Sequence, residues 1–466
     1  MSAAHDLPVS WRNAVGTRIG WIAVAMVVIE LIAGMQTYVT QTVKPLMAAE
    51  LDGRHLYGII TAVSQIGTFI TMPIGGALLT RFRSSTLLTL LLPVTALGSA
   101  LCALAADMPT FLVGTAIRAL AAGALATVGM GVIVTEMPKH WRRIVLAALS
   151  GVWVFASIIG PAYASWISVV AGWRWALVAY LPILFAARGM IARQLRHSPV
   201  RADDAAGLSI PSALLLAAGI TLVSLFTDTS WWRIAACGAG VTAVLIAVRA
   251  LLPSGVARLA RGRPGAIAAM FVLCGVYFGA SGLIAIAAHD TLAFSAPQIG
   301  VLLAAGGLGW AVVGFHCGRR PAASGAAFTA RLTRAIGGLL SGLVLVGTAM
   351  QLPSGTASGT IFVIGWLLAG VGMGFGYIDI MNRIVEPTDD GIGQARAATA
   401  VVLAESVAAA LFTTLTTTSL VSMTAAWGGR SVGFLFFALA ALGLVLIPAA
   451  RHAAAVPRPA NTGASH

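Results

Sequence analysis

The stretch GVWVFASIIGPAYASWISVVAGWRWALVAYLP, Gly151 to Pro182, decides the fold. It holds an apolar helix with Gly160-Pro161 inside it, a short turn from Gly172 to Trp175, and the start of a second apolar helix. Gly and Pro deep in an apolar helix are poorly tolerated in water. In a bilayer, neighbouring helices satisfy the freed backbone groups, and small residues let backbones approach. The turn places Trp173, Arg174 and Trp175 where a chain crosses the membrane–water interface. The remaining sequence reads as further copies of such helix pairs.

Composition agrees. Of 466 residues, 58% are hydrophobic and 9% charged, whereas a soluble chain carries roughly a quarter charged residues. The expected class is an all-α polytopic membrane protein. A membrane barrel is excluded because its strands would alternate polar and apolar residues. The net charge of +14 does not point to nucleic acid, because the basic residues sit in short loops between apolar segments. Cys102, Cys237, Cys274 and Cys317 fall in apolar segments without metal-ligand spacing and read as small core residues. Neither a metal site nor a cofactor is expected, and no cleaved signal peptide.

Fourteen apolar segments have spanning length, at 19–44, 57–79, 85–105, 109–135, 144–168, 173–192, 208–227, 231–252, 265–288, 297–317, 333–352, 359–382, 396–422 and 431–450. Most of the 29 Lys and Arg flank alternate loops, among them Arg81, Arg83, Lys139, Arg142, Arg193, Arg261 and Arg319. Lys44, Arg54, Arg174, Arg233 and Arg430 fall on the other side, and Arg118 stands as the basic residue well inside a helix. This asymmetry puts both termini in the cytoplasm.

A weak repeat divides the chain. Thr110 to Gly114 opens the fourth segment as Ile361 to Gly365 opens the twelfth, and an acid and a proline follow each (Glu136 and Pro138; Glu386 and Pro387). The expected organisation is a tail at 1–18, a six-helix bundle at 19–192, a linker with two extra spanning helices at 193–264, a second six-helix bundle at 265–450, and a tail at 451–466. Repeated halves with a substrate path between them are a transporter architecture.

The chain resembles the major facilitator superfamily and, more narrowly, the fourteen-helix drug:proton antiporters of the EmrB/QacA type. The fourth-helix pattern is matched by Arg118-Ala119-Leu120 and Gly123, the fifth-helix antiporter motif by Gly151, Gly160 and Pro161, and the start of the sixth helix by Trp173-Arg174-Trp175 and Pro182. Two departures stand out. In the loop after the second segment Thr80 replaces the family's Asp, while Arg81 is kept. In the first segment Gln36 stands where such exporters usually carry an Asp.

Ionisable groups inside a bilayer are costly and invite functional readings. Glu30 and Glu405 read as proton-coupling sites, against the alternative of structurally paired acids. Arg118 reads as a charge partner that responds to Glu30, against a permanent structural tie. Arg81 and Asp379 read as gate residues near the cytoplasmic face. Gln36, Tyr38, Gln41 and Trp153 are expected to line the substrate cavity, and Tyr277, Phe278, Trp310 and Trp366 are further aromatic candidates. No hydrolase triad, metal set or nucleotide-binding domain is legible, so no enzyme is expected.

The reading is a monomeric secondary transporter of the bacterial cytoplasmic membrane. It exports small organic compounds against proton entry, by alternating access. A periplasmic adaptor stays open as a partner. The rival readings are a uniporter or importer on the same fold, and a receptor or assembly protein that binds without transporting.

Overall fold

The computed structural model describes residues 17–79, 81–137, 139–194, 210–224, 230–320, 322, 324–386 and 394–454. Among these residues the chain forms fourteen helical segments. They are α1 (Arg18–Glu50), α2 (Tyr57–Leu79), α3 (Ser84–Leu104), α4 (Met108–Glu136), α5 (Lys139–Val170), α6 (Trp173–Gln194) and α7 (Ile210–Ser224). Then follow α8 (Trp231–Leu251), α9 (Arg263–Asp290), α10 (Ala296–Arg319), α11 (Gly325–Gln351), α12 (Thr356–Val385), α13 (Gln394–Trp427) and α14 (Gly429–Ala454). Eleven of the described helices are long and apolar enough to cross a membrane. The protein is a multi-pass membrane protein.

Local chemistry sets the helix ends. Asp107 accepts from the Thr110 amide at 2.8 Å, and Pro109 occupies the first turn of α4. That same amide bond holds the exposed Asp107 carboxyl below the usual carboxylate range. Ser295 and Gln298 form a reciprocal cap on α10. Ser324 caps α11 at the Ala327 amide, 3.2 Å away. The segment therefore begins at Gly325 rather than at 333, so that Arg331 and Arg334 lie within the helix. Gly172 (φ 90°) and Gly428 (φ 80°) make the short turns into α6 and α14, in a backbone region that favours glycine. The two turns hold matching places in the two halves.

The repeat reappears as packing. Helix α1 packs on α5 and α6, α2 on α4, and α3 on α4 and α6. Correspondingly, α9 packs on α13 and α14, α10 on α12, and α11 on α12 and α14. The halves meet where α5 packs on α10 and α2 on α13. Helices α7 and α8 pack on each other, against α2 and α13. The result is two six-helix halves with two added linker helices.

Small residues set the spacing. A Cβ on Gly370 would lie 2.0 Å from the Gly306 carbonyl oxygen, and one on Gly98 would lie 2.6 Å from the Arg118 amide. Threonines tie α13 to α9: Thr413 donates to the Phe278 carbonyl at 3.1 Å and Thr416 to that of Gly279 at 3.0 Å. On the outside, large apolar side chains such as Phe155, Val169, Val301 and Phe315 stay exposed, as lipid contact requires. Trp166, Trp175, Trp231 and Trp427 are exposed near one end of the bundle, as in an interfacial aromatic belt.

Candidate functional site

Where the halves face each other, polar groups from five helices converge. The Tyr377 hydroxyl (α12) donates to the Glu405 carboxylate (α13) at 2.8 Å. Tyr38 (α1), which bonds Ser157 (α5), is buried within electrostatic reach of Glu405. Ser281 (α9) donates to the Gln41 side-chain oxygen (α1) at 3.3 Å.

An aromatic wall adjoins this network. Tyr277 stacks on Trp366 with ring centroids 5.0 Å apart, and meets Trp310 edge-on at 5.7 Å. Trp310 in turn meets Tyr377 at 5.5 Å. Gly306 lets the Trp366 indole lie against α10, since a Cβ there would sit 2.2 Å from its nitrogen. That nitrogen is buried without a hydrogen-bond partner. A carboxylate, three phenols and two indoles thus surround the seam between the halves. Such a set can hold a mixed polar and aromatic molecule and carry a proton.

The antiporter-motif residues act on spacing. A Cβ on Gly160 would lie 2.8 Å from that of Tyr38, so Gly160 lets α5 lie close against α1. The Pro161 carbonyl accepts from Ser165 at 2.7 Å. Both Ser165 and Ser157 lie against glycines of α10, Gly300 and Gly307. Gly151 lies in the same helix, α5.

At one end of the bundle the halves are tied. Tyr57 donates to Asp290 at 3.0 Å, and Arg54 Nε lies 3.3 Å from the same carboxylate. Nearby, Gly58 is pressed against Thr418. Glu50 receives Trp173 and Arg174, fastening α1 to α6.

The opposite end holds a second ion pair. Arg331 bonds both oxygens of Asp379, at 3.1 and 3.0 Å, and also donates to the Arg320 carbonyl. Asp379 is 3% exposed. The pair clamps α11, α12 and the preceding turn within one half. Arg81 is exposed at the turn after α2.

The Arg118 guanidinium reaches Thr40 at 3.4 Å. Ten residues separate Thr40 from Glu30 on α1, about 15 Å at helical rise, so Arg118 is not placed beside Glu30. Glu30 is partly buried and makes a contact of its own. Nor is Arg118 the lone buried cation within a helix: Arg188 of α6 is 6% exposed, and Lys44 is buried against Thr61 at 3.2 Å. Gln36 is partly buried on α1. The Trp153 side chain lies outside the described residues.

With this geometry in place, comparison with known proteins is decisive for the family. The family model of the Major Facilitator Superfamily matches residues 26–413. The chain belongs to the major facilitator superfamily. It is therefore a member of a transporter family, not of an enzyme family.

Among curated relatives of this facilitator, the acurin A biosynthesis cluster MFS-type transporter of Aspergillus aculeatus is 25% identical over 277 residues, covering 56% of this chain and 50% of the relative. A probable multidrug-efflux transporter of Mycobacterium tuberculosis is 29% identical over 168 residues, 36% of this chain and 35% of the relative. The chain thus spans about half or less of the length of the curated relatives it matches. Among solved structures, the D-xylose-proton symporter superposes with a TM-score of 0.60 at 16% identity, covering 92% of this chain and 97% of the symporter. The human organic anion transporter MFSD10 gives 0.58 at 15% identity, covering 95% and 100%. At these identities the two structures bear on the fold alone.

Proposed function

We propose that this facilitator is a proton-coupled exporter of small organic compounds. The carrying observation is the Tyr377–Glu405 hydrogen bond, which sets an ionisable acid beside Tyr38 at the seam between the halves. An acid there senses both the cargo and the relative position of the halves, because its neighbours come from each. Its protonation alters which arrangement is favoured, and the cargo then leaves as the proton enters. The efflux names among the relatives support the direction of transport.

In this reading 19–192 and 265–450 rock about the seam, and 193–264 links them. The positive-inside asymmetry supports cytoplasmic termini in a bacterial inner membrane. It makes the Asp290 end the outer one, so the described arrangement is closed to the outside. Glu405 is the coupling acid, and Glu30 is a second titrating site on α1. Tyr38 and Gln41 contact the cargo.

The test is substrate-dependent proton movement in proteoliposomes, wild type beside Glu405→Gln. Proton flux that requires both cargo and Glu405 supports exchange. Cargo flux without proton movement, unchanged in the variant, makes the protein a uniporter.

A further inference from the structure

Two arginines are buried inside the first six helices with no carboxylate among the described residues paired to either. Arg118 is 9% exposed and makes the long contact to Thr40 noted above. Arg188 is 6% exposed, and its Nε and Nη1 are buried without a hydrogen-bond partner. Tyr180 is the neighbour they share: its hydroxyl lies close to the Arg118 guanidinium, in a contact too poorly aligned for a standard hydrogen bond, and within electrostatic reach of Arg188. A guanidinium keeps its charge in a protein, and an uncompensated buried charge is strongly unfavourable. Something negative belongs there.

We infer that the buried, unpartnered Arg188 guanidinium, with Tyr180 as the neighbour it shares with Arg118, receives the carboxylate of an organic-acid cargo. The inference rests on the transporter reading and names its substrate class. A guanidinium fork matches a carboxylate with paired donors, and the Tyr180 hydroxyl adds a third. Thr40, which meets Arg118, stands between Tyr38 and Gln41 in the chain. A resident chloride would satisfy the same chemistry, and the test separates the two sources.

The full chain is purified into nanodiscs in chloride-free sodium HEPES. Binding is measured for benzoate, for its neutral analogue benzamide and for benzyltrimethylammonium, by equilibrium dialysis and by the thermal midpoint. Benzoate is expected to bind and to raise the midpoint, and the other two are not. Arg188→Met weakens benzoate about tenfold or more, the loss of a charge-assisted hydrogen bond. Its ligand-free midpoint equals or exceeds wild type, because an unpaired buried charge has gone. Arg188→Lys, which keeps charge without the fork, gives an intermediate loss and serves if the Met variant fails to fold.

Equal binding of benzoate and benzamide, no benzoate binding, or unchanged benzoate binding in both variants overturns the inference. So does chloride that displaces benzoate while benzoate never crosses proteoliposomes, which would make the site a resident-anion site. Proton-coupled flux of the cation without benzoate flux leaves the exporter standing and removes the organic-acid subsite. Benzoate binding that depends on Arg188, with no flux of any probe, leaves the subsite and removes the exporter.

Discussion

Tyr377 donates a hydrogen bond to Glu405 at 2.8 Å, from α12 to α13, with Tyr38 of the other half within electrostatic reach. Removing the donor while keeping the ring isolates its contribution. Tyr377→Phe is expected to lower proton-coupled transport about tenfold, the scale of one hydrogen bond to a charged group. Glu405→Gln is expected to lower it to background with membrane abundance unchanged. Initial transport rates at matched protein amounts check both. Equal rates in wild type and Tyr377→Phe would detach the phenol from coupling.

Asp290 gathers Tyr57 and Arg54 from the opposite half. The exposed Arg54 contact is worth about 1 kcal/mol or less, whereas the buried Tyr57 hydroxyl donates to a carboxylate, worth about 1.5–3 kcal/mol. Tyr57→Phe combined with Asp290→Asn, as a thermal-unfolding double-mutant cycle, is expected to return a coupling of about 1.5–3 kcal/mol. The same variants should label faster at a cysteine placed at Thr418, which packs against Gly58 beside the latch. Additive effects and unchanged labelling would show that the latch does not hold this end closed.

The Arg331–Asp379 pair is a different case, because both partners are largely buried. Asp379→Asn alone strands a guanidinium and is expected to cost about 3–5 kcal/mol. Replacing both, Arg331→Met with Asp379→Leu, should recover most of that loss. The thermal midpoint in detergent checks the order of the three proteins. Recovery of stability without recovery of transport would give the pair a functional duty beyond clamping one half.

Gly370 sits where α12 crosses α10, with a Cβ position 2.0 Å from backbone oxygen. No side-chain adjustment relieves a clash with backbone. Gly370→Val is therefore expected to abolish folded protein in the membrane, whereas Gly337→Ala, in open space on α11, should be neutral. Size-exclusion profiles of the two variants make the comparison.

The helices were legible in the sequence because a bilayer imposes spanning length on each apolar run. The expected bounds match the observed ones closely at 57–79 and 231–252. Helix α11 starts earlier than its apolar run because its first turns are amphipathic, carrying Arg331 and Arg334. Glu405, Tyr38 and Gln41 were legible as costly polar groups in apolar segments, and the structure brings them to the seam.

The partners were not legible. Tyr377 differs little in the sequence from any interfacial tyrosine, and its pairing depends on the rotation of α12 against α13. Arg188 precedes Arg193 and Arg196 and reads as part of a basic flank. Its helix continues to Gln194, however, which sets Arg188 about 9 Å from that end. Counting rise from the helix end would have flagged it. Arg118 and Glu30 stand apart for a similar reason: depth along each helix, rather than charge sign, decides which groups meet.

The most direct test of the central claim is proton uptake or release on adding cargo to proteoliposomes, in wild type, Glu405→Gln and Glu30→Gln. The account predicts cargo-dependent proton movement in wild type and none in Glu405→Gln. Full coupled transport in a protein lacking both glutamates would contradict it.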